Sequence, residues 1–559
     1  FFLKVMDFDY IIIGAGSAGC VLANRLTENE NNNVLLLEAG IRNSKFSMQD
    51  LFMKIPAAVL SNLQNKKTNW SFLGAPEPYL KNRQLIHDRG KGLGGSSSIN
   101  GMVFIRGHAQ DYDNWRQSGC SDWKYSNVLP YFKKMENYSN GDDAFRATGG
   151  LLNVKRPKPS NELDKAFLLA GNELGYPSTD DINGYVQEGF GLLDSTIHNG
   201  ERWSAKKAFL DPAKYRKNLT IMTGANVIKI LFLDKKAQGV LIKTQKNKHI
   251  KIFARKEIIL SAGTIGTPHI LLLSGIGPVE HLQDMGIDVV HDLPGVGQNL
   301  QDHPDFVLKY KCKKPVSVWP KTKLFGKLMT GIRWITKRDG LAASNQFEVV
   351  GCIRSDPRLD YPDLQLTITP LAISAVGWEP IQDHAFQIHL GLMRAYSRGY
   401  VKLKSPDPEI QPSIKVNYLK DERDIQRMVE GIKIVRKLIK QPSFVEYKGE
   451  EIFPGKDNIS DFDLRDSLLE NLASQWHLVG TSKMGPASDK MAVINQDGTV
   501  HGLTSLRVVD ASVMPSITNG NTNGPTIMIA EKLSDKILNK KPLEPLEIPI
   551  LSQDVENKI

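Results

Sequence analysis

The chain has 559 residues, 41% hydrophobic and 24% charged, ordinary globular proportions that exclude a mainly disordered, collagenous or coiled-coil protein. Its length exceeds one hydrophobic core, and its four cysteines, Cys20, Cys120, Cys312 and Cys352, lie too far apart for a disulfide scaffold or a zinc ribbon. The net charge of +10 invites a nucleic-acid reading, but the lysines read as scattered singly or in short groups, with no basic stripe interleaved with aromatics. No nucleic-acid partner is expected, and the charge is read as surface solvation.

In chain order, the opening FFLKVMDFDYIIIGAG lacks a charged leader and a cleavage site, and runs straight into a core strand at Asp9–Ile13. No run of 18 apolar residues is present, so no membrane-spanning helix is expected. Ser17–Thr27 carries helical spacing, and Val34–Leu37 is a continuous apolar run of the kind buried on both faces of a parallel sheet. Residues 41–90 read as irregular. Further strands are expected at Leu219–Ile221, Val227–Leu233 and Lys251–Leu260, and a helix begun by Pro268 runs to Leu273. Between 305 and 475 the pattern alternates strands with amphipathic helices, clearest at Asp421–Lys440. Leu506–Val509 reads as a strand, Thr526–Leu538 as a helix, and residues 540–559 as a loosely held tail.

Gly14-Ala-Gly-Ser-Ala-Gly19, between a strand and a helix, allows a tight turn and a close approach to a pyrophosphate at the helix N-terminus. Glu38 ends the next strand, where a carboxylate can accept from ribose hydroxyls. That arrangement points to a dinucleotide without choosing between NAD and FAD. The stretch Gly90–Gly107 is rich in small residues that let backbone lie against a large flat ligand, and Leu93, Ile99, Val103 and Phe104 anchor it. Gly263–Gly277 reads as a turn, a helix and a glycine-rich exit.

Gly90–Asp113 and Gly263–Gly277 each match the two signature patterns of the glucose–methanol–choline (GMC) oxidoreductases, and residues 295–304 and 507–515 are similar to further family segments. The resemblance spans residues 7–538 and is nearest the choline dehydrogenase and alcohol dehydrogenase branch. It implies an α/β fold, with a Rossmann-like FAD-binding domain interleaved with an α+β substrate domain built on an antiparallel sheet. Residues 1–155, 219–304 and 500–538 are expected in the first, 156–218 and 305–499 in the second, and 539–559 in the tail. The cofactor-facing set is Gly14, Gly16, Ser17, Ala18, Gly19, Glu38 and Ala39, then Gly94, Ser96, Asn100, Val103 and Val227, and finally Trp476, Asp510, Ala511, Asn523, Pro525 and Thr526. Some relatives attach FAD through a histidine at the place of Ile99; isoleucine cannot form that bond, so a non-covalent flavin is expected.

Trp476–Gly485 is similar to the family segment that carries the active-site base, which makes His477 that base. Leu478 stands where the family often has Pro. Counting back three positions from Thr526 assigns the second polar residue to Asn523 and leaves Asn521 as a turn residue. The chemistry is coherent: an alcohol must lose a proton and a hydride, imidazole has a suitable pKa, and an amide can steady the developing alkoxide without adding charge. His303 is read as a structural hydrogen-bonding residue. For a quaternary ammonium substrate, Glu348 would offset the cation while Phe347 and Trp476 supply ring faces; an apolar primary alcohol is the rival. The implied function is FAD-dependent oxidation of choline or an aliphatic alcohol to the aldehyde. A non-redox lyase or a fatty-acid photodecarboxylase of the same fold is the alternative. Implied partners are the alcohol and an electron acceptor, whether quinone, oxygen or an artificial one. No metal is expected. The placement is cytoplasmic, with weak association to an anionic membrane as a further reading.

Overall fold

A computed structural model of the chain describes residues 7–41, 47–374, 379–457 and 460–550. The opening residues 1–6 and the tail beyond 550, both covered by expectations above, lie outside the described residues. In chain order the elements that matter for the site begin with β1 (Asp7–Ile13), α1 (Ser17–Leu26), β2 (Val34–Glu38) and β3 (Gly189–Leu192). Then come β4 (Leu219–Thr223), β5 (Ala225–Leu233), β6 (Lys236–Thr244), β7 (His249–Leu260) and α2 (Gly263–Leu273). The middle of the chain supplies β8 (Pro304–Cys312), α3 (Leu324–Lys337), β9 (Val349–Ile353), β10 (Leu364–Thr369) and β11 (Ala385–Leu392). It closes with α4 (Glu422–Leu438), β12 (Lys448–Phe453), β13 (Ala473–Ser474), β14 (Leu506–Val508) and α5 (Asn523–Ile537).

These strands form two seven-stranded sheets. The first has the order β4-β2-β1-β7-β6-β5, with β14 on β7; its β4, β2, β1, β7 and β14 run parallel, and β5-β6-β7 is an antiparallel meander. Every residue of β2 is buried, as its unbroken apolar run requires. The second sheet, β12-β8-β11-β10-β9-β3 with β13 on β8, is antiparallel throughout. Each sheet has its own hydrophobic core. Among the described residues no helix is long and apolar enough to cross a membrane.

Several expectations shift. The stretch 205–213 was assigned to the second unit, yet Ala205, Ala208, Phe209, Leu210 and Ala213 sit in the first core, as do Val479, Met484, Val493 and Ile494. The tail is not loose up to residue 550. Leu543, Leu546, Ile548 and Ile550 lie on the first core, the Leu546 amide donates to the Ser126 carbonyl at 2.9 Å, and Glu547 pairs with Lys124. Short helices at Met48–Lys54 and Val59–Leu63 occupy part of the expected irregular stretch.

Two helix starts also differ. α2 begins at Gly263, placing Pro268 inside it. Proline removes an amide donor, which leaves the carbonyl four residues earlier unpaired. That carbonyl belongs to Thr264, and the Thr481 hydroxyl fills it at 2.6 Å, while the Thr264 hydroxyl donates to the Leu478 carbonyl at 2.7 Å. The proline therefore opens a docking point for the loop that carries His477. α5 begins at Asn523, three residues before the expected start, because Pro525 falls in the first turn, where amides have no helical partner.

Candidate active site

The turn after β1 shows why its glycines are needed. Gly14 has φ +100°, and a Cβ there would lie 2.5 Å from the Ser261 carbonyl oxygen; a Cβ at Gly19 would lie 1.9 Å from the Gly14 oxygen. The second glycine segment locks onto the first: the Gly94 amide donates to the Ala15 carbonyl at 2.7 Å, and a Cβ at Gly95 would meet Gly16 Cα at 2.7 Å. Glu38 ties both together, accepting from the amides of Ala15, Gly40 and Gly92 at 2.8–3.0 Å. A carboxylate has about four acceptor positions, so one remains for a hydroxyl. Burial pushes the Glu38 carboxyl upward, and these three amides oppose the shift.

Beside this interlock lies a cavity of about 1480 Å³, larger than the ~300–1,000 Å³ of a pocket for one drug-sized ligand. It runs between the two sheets and has room for a dinucleotide and a substrate together. Of the expected cofactor-facing residues, Gly14, Gly16, Ser17, Ala18, Glu38, Ala39, Ser96, Asn100, Val103, Val227, Trp476, Asp510, Ala511, Asn523 and Thr526 line it. Gly19, Gly94 and Pro525 do not; they serve backbone packing as described. Asp510 holds α2 in place, accepting from the Gly263 amide at 2.9 Å and the Thr267 hydroxyl at 2.6 Å.

His477 lines the same cavity. Its Nδ1 lies 3.0 Å from His303 Nδ1, and its Nε2 lies 2.9 Å from Asn521 Nδ2. If the amide NH2 donates to Nε2, the proton of His477 must sit on Nδ1 and point at His303. That tautomer leaves Nε2 as a base facing the cavity. Burial holds the His477 pKa well below the ordinary imidazole value, with His303 and Arg89 adding to the shift, so the ring is neutral above it. Burial pushes His303 down to about 3.

Asp302 organises this pair. Its Oδ1 accepts from the amides of His303 at 2.9 Å and His477 at 2.7 Å, and its Oδ2 accepts from the Tyr418 and Ser474 hydroxyls. All four acceptor positions are used, which fixes both histidine backbones. Trp476 adopts φ 59°, and its carbonyl accepts from half-buried Arg89. Its indole donates to the Ile86 carbonyl at 2.9 Å.

Two expectations are corrected here. Asn523 is not beside His477; its Oδ1 accepts from Ser17 Oγ at 2.7 Å, bracing the starts of α1 and α5. Asn521 takes the place beside the base, and its Oδ1 has no hydrogen-bond partner among the described residues. The second correction is Glu348. Phe347 lines the cavity, but Glu348 does not; its carboxylate is held by Ser344 Oγ, which donates to it at 2.7 Å. The carboxylate that does reach the substrate side is Asp305 on β8, which sequence reasoning missed. It accepts from His389 Nδ1 at 2.8 Å and Gln475 Nε2 at 3.1 Å, and Phe347 meets the His389 ring edge-on at 5.9 Å. A signal existed in the sequence: Asp305 lies two residues after His303, at the start of a strand.

The residues present fit a flavin dinucleotide. Gly16, Ser17 and Ala18 at the start of α1 line the cavity, where the first helical amides have no intrahelical partner, and Glu38 keeps one acceptor position.

Comparisons with known proteins agree. The models named GMC oxidoreductase match residues 8–305 and 395–530. An oxygen-dependent choline dehydrogenase of Chromohalobacter salexigens is 48% identical over 98% of this chain and 97% of its own length. One from Proteus mirabilis is 48% identical over 96% and 97%. Among solved structures, a formate oxidase of Aspergillus oryzae RIB40, described in connection with FAD modification, superposes with a TM-score of 0.88 at 27% identity, covering 96% of this chain and 98% of that one. The chain belongs to the GMC oxidoreductase family.

Proposed function

We propose that this oxidoreductase oxidises choline to the aldehyde with FAD bound in the cavity. The observation that carries the reading is the His477 Nε2–Asn521 Nδ2 pair at 2.9 Å on the cavity wall, with buried Asp305 on the same side. FAD, when bound, supplies the hydride acceptor. An alcohol hydroxyl that displaces the Asn521–His477 contact meets an acceptor, the freed Nε2 lone pair, and a donor, the Asn521 amide, at once. His477 takes the proton on Nε2, and Asn521 donates to the developing alkoxide oxygen. His303 receives the Nδ1 hydrogen bond and keeps the base tautomer, while Asp302 holds the backbone of both histidines in place. Asp305 offsets a quaternary ammonium, and Phe347 offers it a ring face.

The turn Gly14–Gly19, Glu38 and the first core serve the cofactor, and β8, β10 and β11 serve the substrate. Ile99 is buried against the cavity and has no nucleophile to offer, which supports a non-covalent flavin. The relatives' names support oxygen or another carrier as electron acceptor, and they give the lyase and photodecarboxylase readings no support. Cys20, Cys120, Cys312 and Cys352 are all free, which fits a reducing compartment such as the cytoplasm. The test is anaerobic mixing with choline and with uncharged primary alcohols. Bleaching of the flavin by choline at lower concentration than by the uncharged alcohols supports the reading; no bleaching by any of them sinks it.

A further inference from the structure

Between Asp305 and Asp339 the chain carries ten lysines and arginines and no acidic residue, equal to the whole net charge of +10. The basic charge is therefore concentrated, not scattered as the single spacings suggested. α3 lies within this segment, and its burial is inverted relative to an ordinary surface helix. Trp334 is its one buried residue, packed with Ala342 and Ala343 against Leu51 and Ile55. Leu324, Phe325, Leu328, Met329, Ile332 and Ile335 are exposed, at 87%, 74%, 57%, 48%, 46% and 61%.

At 3.6 residues per turn these six side chains occupy one continuous arc of roughly 140°, with Lys327 flanking one edge and Arg333 the other. Single exposed leucines are ordinary on a protein surface, but a contiguous apolar arc marks a contact. Arg333 pairs with Asp339 and Arg338 with Glu201; among the described residues Lys321, Lys323 and Lys327 make no ion pair. Met48 and Phe52, on the neighbouring helix Met48–Lys54, are also exposed and extend the apolar surface.

We infer that α3 is an interfacial helix that seats the enzyme on an anionic lipid bilayer. The apolar arc enters the boundary between headgroups and acyl chains, and the basic flanks and preceding lysines meet anionic headgroups. The charge complementarity commits the face to lipid: another protein would need acidic groups around an apolar strip, whereas an anionic bilayer offers both layers as one surface. The helix is bracketed by cavity-lining residues, Val318 before it and Asn345, Gln346 and Phe347 after it, so docking sets the cavity wall near the headgroups.

The test uses flavin-loaded enzyme sedimented with vesicles of phosphatidylcholine alone or mixed with phosphatidylglycerol. Wild type pellets with mixed vesicles and about tenfold less with phosphatidylcholine alone. The double variants Phe325→Ser/Leu328→Ser and Lys323→Glu/Lys327→Glu each lower binding by at least about tenfold while keeping their flavin spectrum and their rate with a soluble alcohol. The lysine variant alters only exposed side chains and keeps the test decisive should the apolar one misfold. Wild type left in the supernatant with mixed vesicles overturns the inference, as does undiminished binding by the lysine variant. A dimer that the apolar variant dissolves, with no vesicle binding by wild type, assigns the face to a second copy instead. This binding measurement does not depend on which alcohol is oxidised.

Discussion

The two walls of the cavity are built in different ways. The cofactor wall is mostly backbone: two glycine segments, each an unbroken local stretch of sequence, lock together through Gly14, Gly94 and Gly95 and are fastened by Glu38. The substrate wall is mostly side chain: Asp305, Phe347, His389, His477 and Asn521 arrive from separate strands and loops, with His303 buried behind His477. A backbone wall depends on the absence of side chains and fails abruptly when one is added. A side-chain wall can lose one group and keep its shape, so its variants should change chemistry or selectivity and leave the flavin bound.

That contrast can be broken from either side. The largest effect is expected on the backbone wall. Gly14→Ala drives a Cβ into the Ser261 carbonyl at a φ of +100°, so purified protein should lack flavin absorbance or fail to fold; a fully loaded variant would show that the turn has slack. On the other wall, Asn521→Ala should slow flavin reduction by about 10²-fold, in line with loss of one donor to a developing oxyanion. Asn523→Ala should instead weaken flavin retention, because it removes the brace to Ser17. Stopped-flow rates and flavin content measured on both would reverse the assignment if the two phenotypes were exchanged. A smaller effect is expected at Asp305. Asp305→Asn should weaken choline binding by roughly tenfold to hundredfold, about 1–3 kcal/mol, and spare uncharged alcohols. Glu348→Gln, off the cavity and able to keep the Ser344 hydrogen bond, should leave both within about twofold; a selective loss of choline there would restore it as the cation site.

The same contrast explains what could be read from the chain. The glycine turn, the parallel-sheet run Val34–Leu37 and the acid at Glu38 are local patterns whose spacing is their geometry, so the cofactor wall was legible. The substrate wall depends on which face of a strand each residue takes and on where a helix starts. Glu348 was chosen for its charge, but its neighbour Phe347 takes the cavity side. Asn523 was chosen by counting from Thr526, whereas Pro525 let α5 start earlier and left Asn521 in the loop before it. Asp305 carries a local hint in its place two residues after His303, but its role shows only once β8 is seen to pair with the strand of His389. The basic segment around α3 escaped because its lysines are spaced singly; what marks it is the absence of acids over the whole stretch.

The central claim is that neutral His477, poised by His303 and Asn521, removes the hydroxyl proton. Anaerobic stopped-flow reduction by choline in His477→Ala tests it most directly. The rate of flavin bleaching should fall by at least about 10³-fold, with the flavin still bound at wild-type stoichiometry. Bleaching at the wild-type rate in that variant would contradict the account.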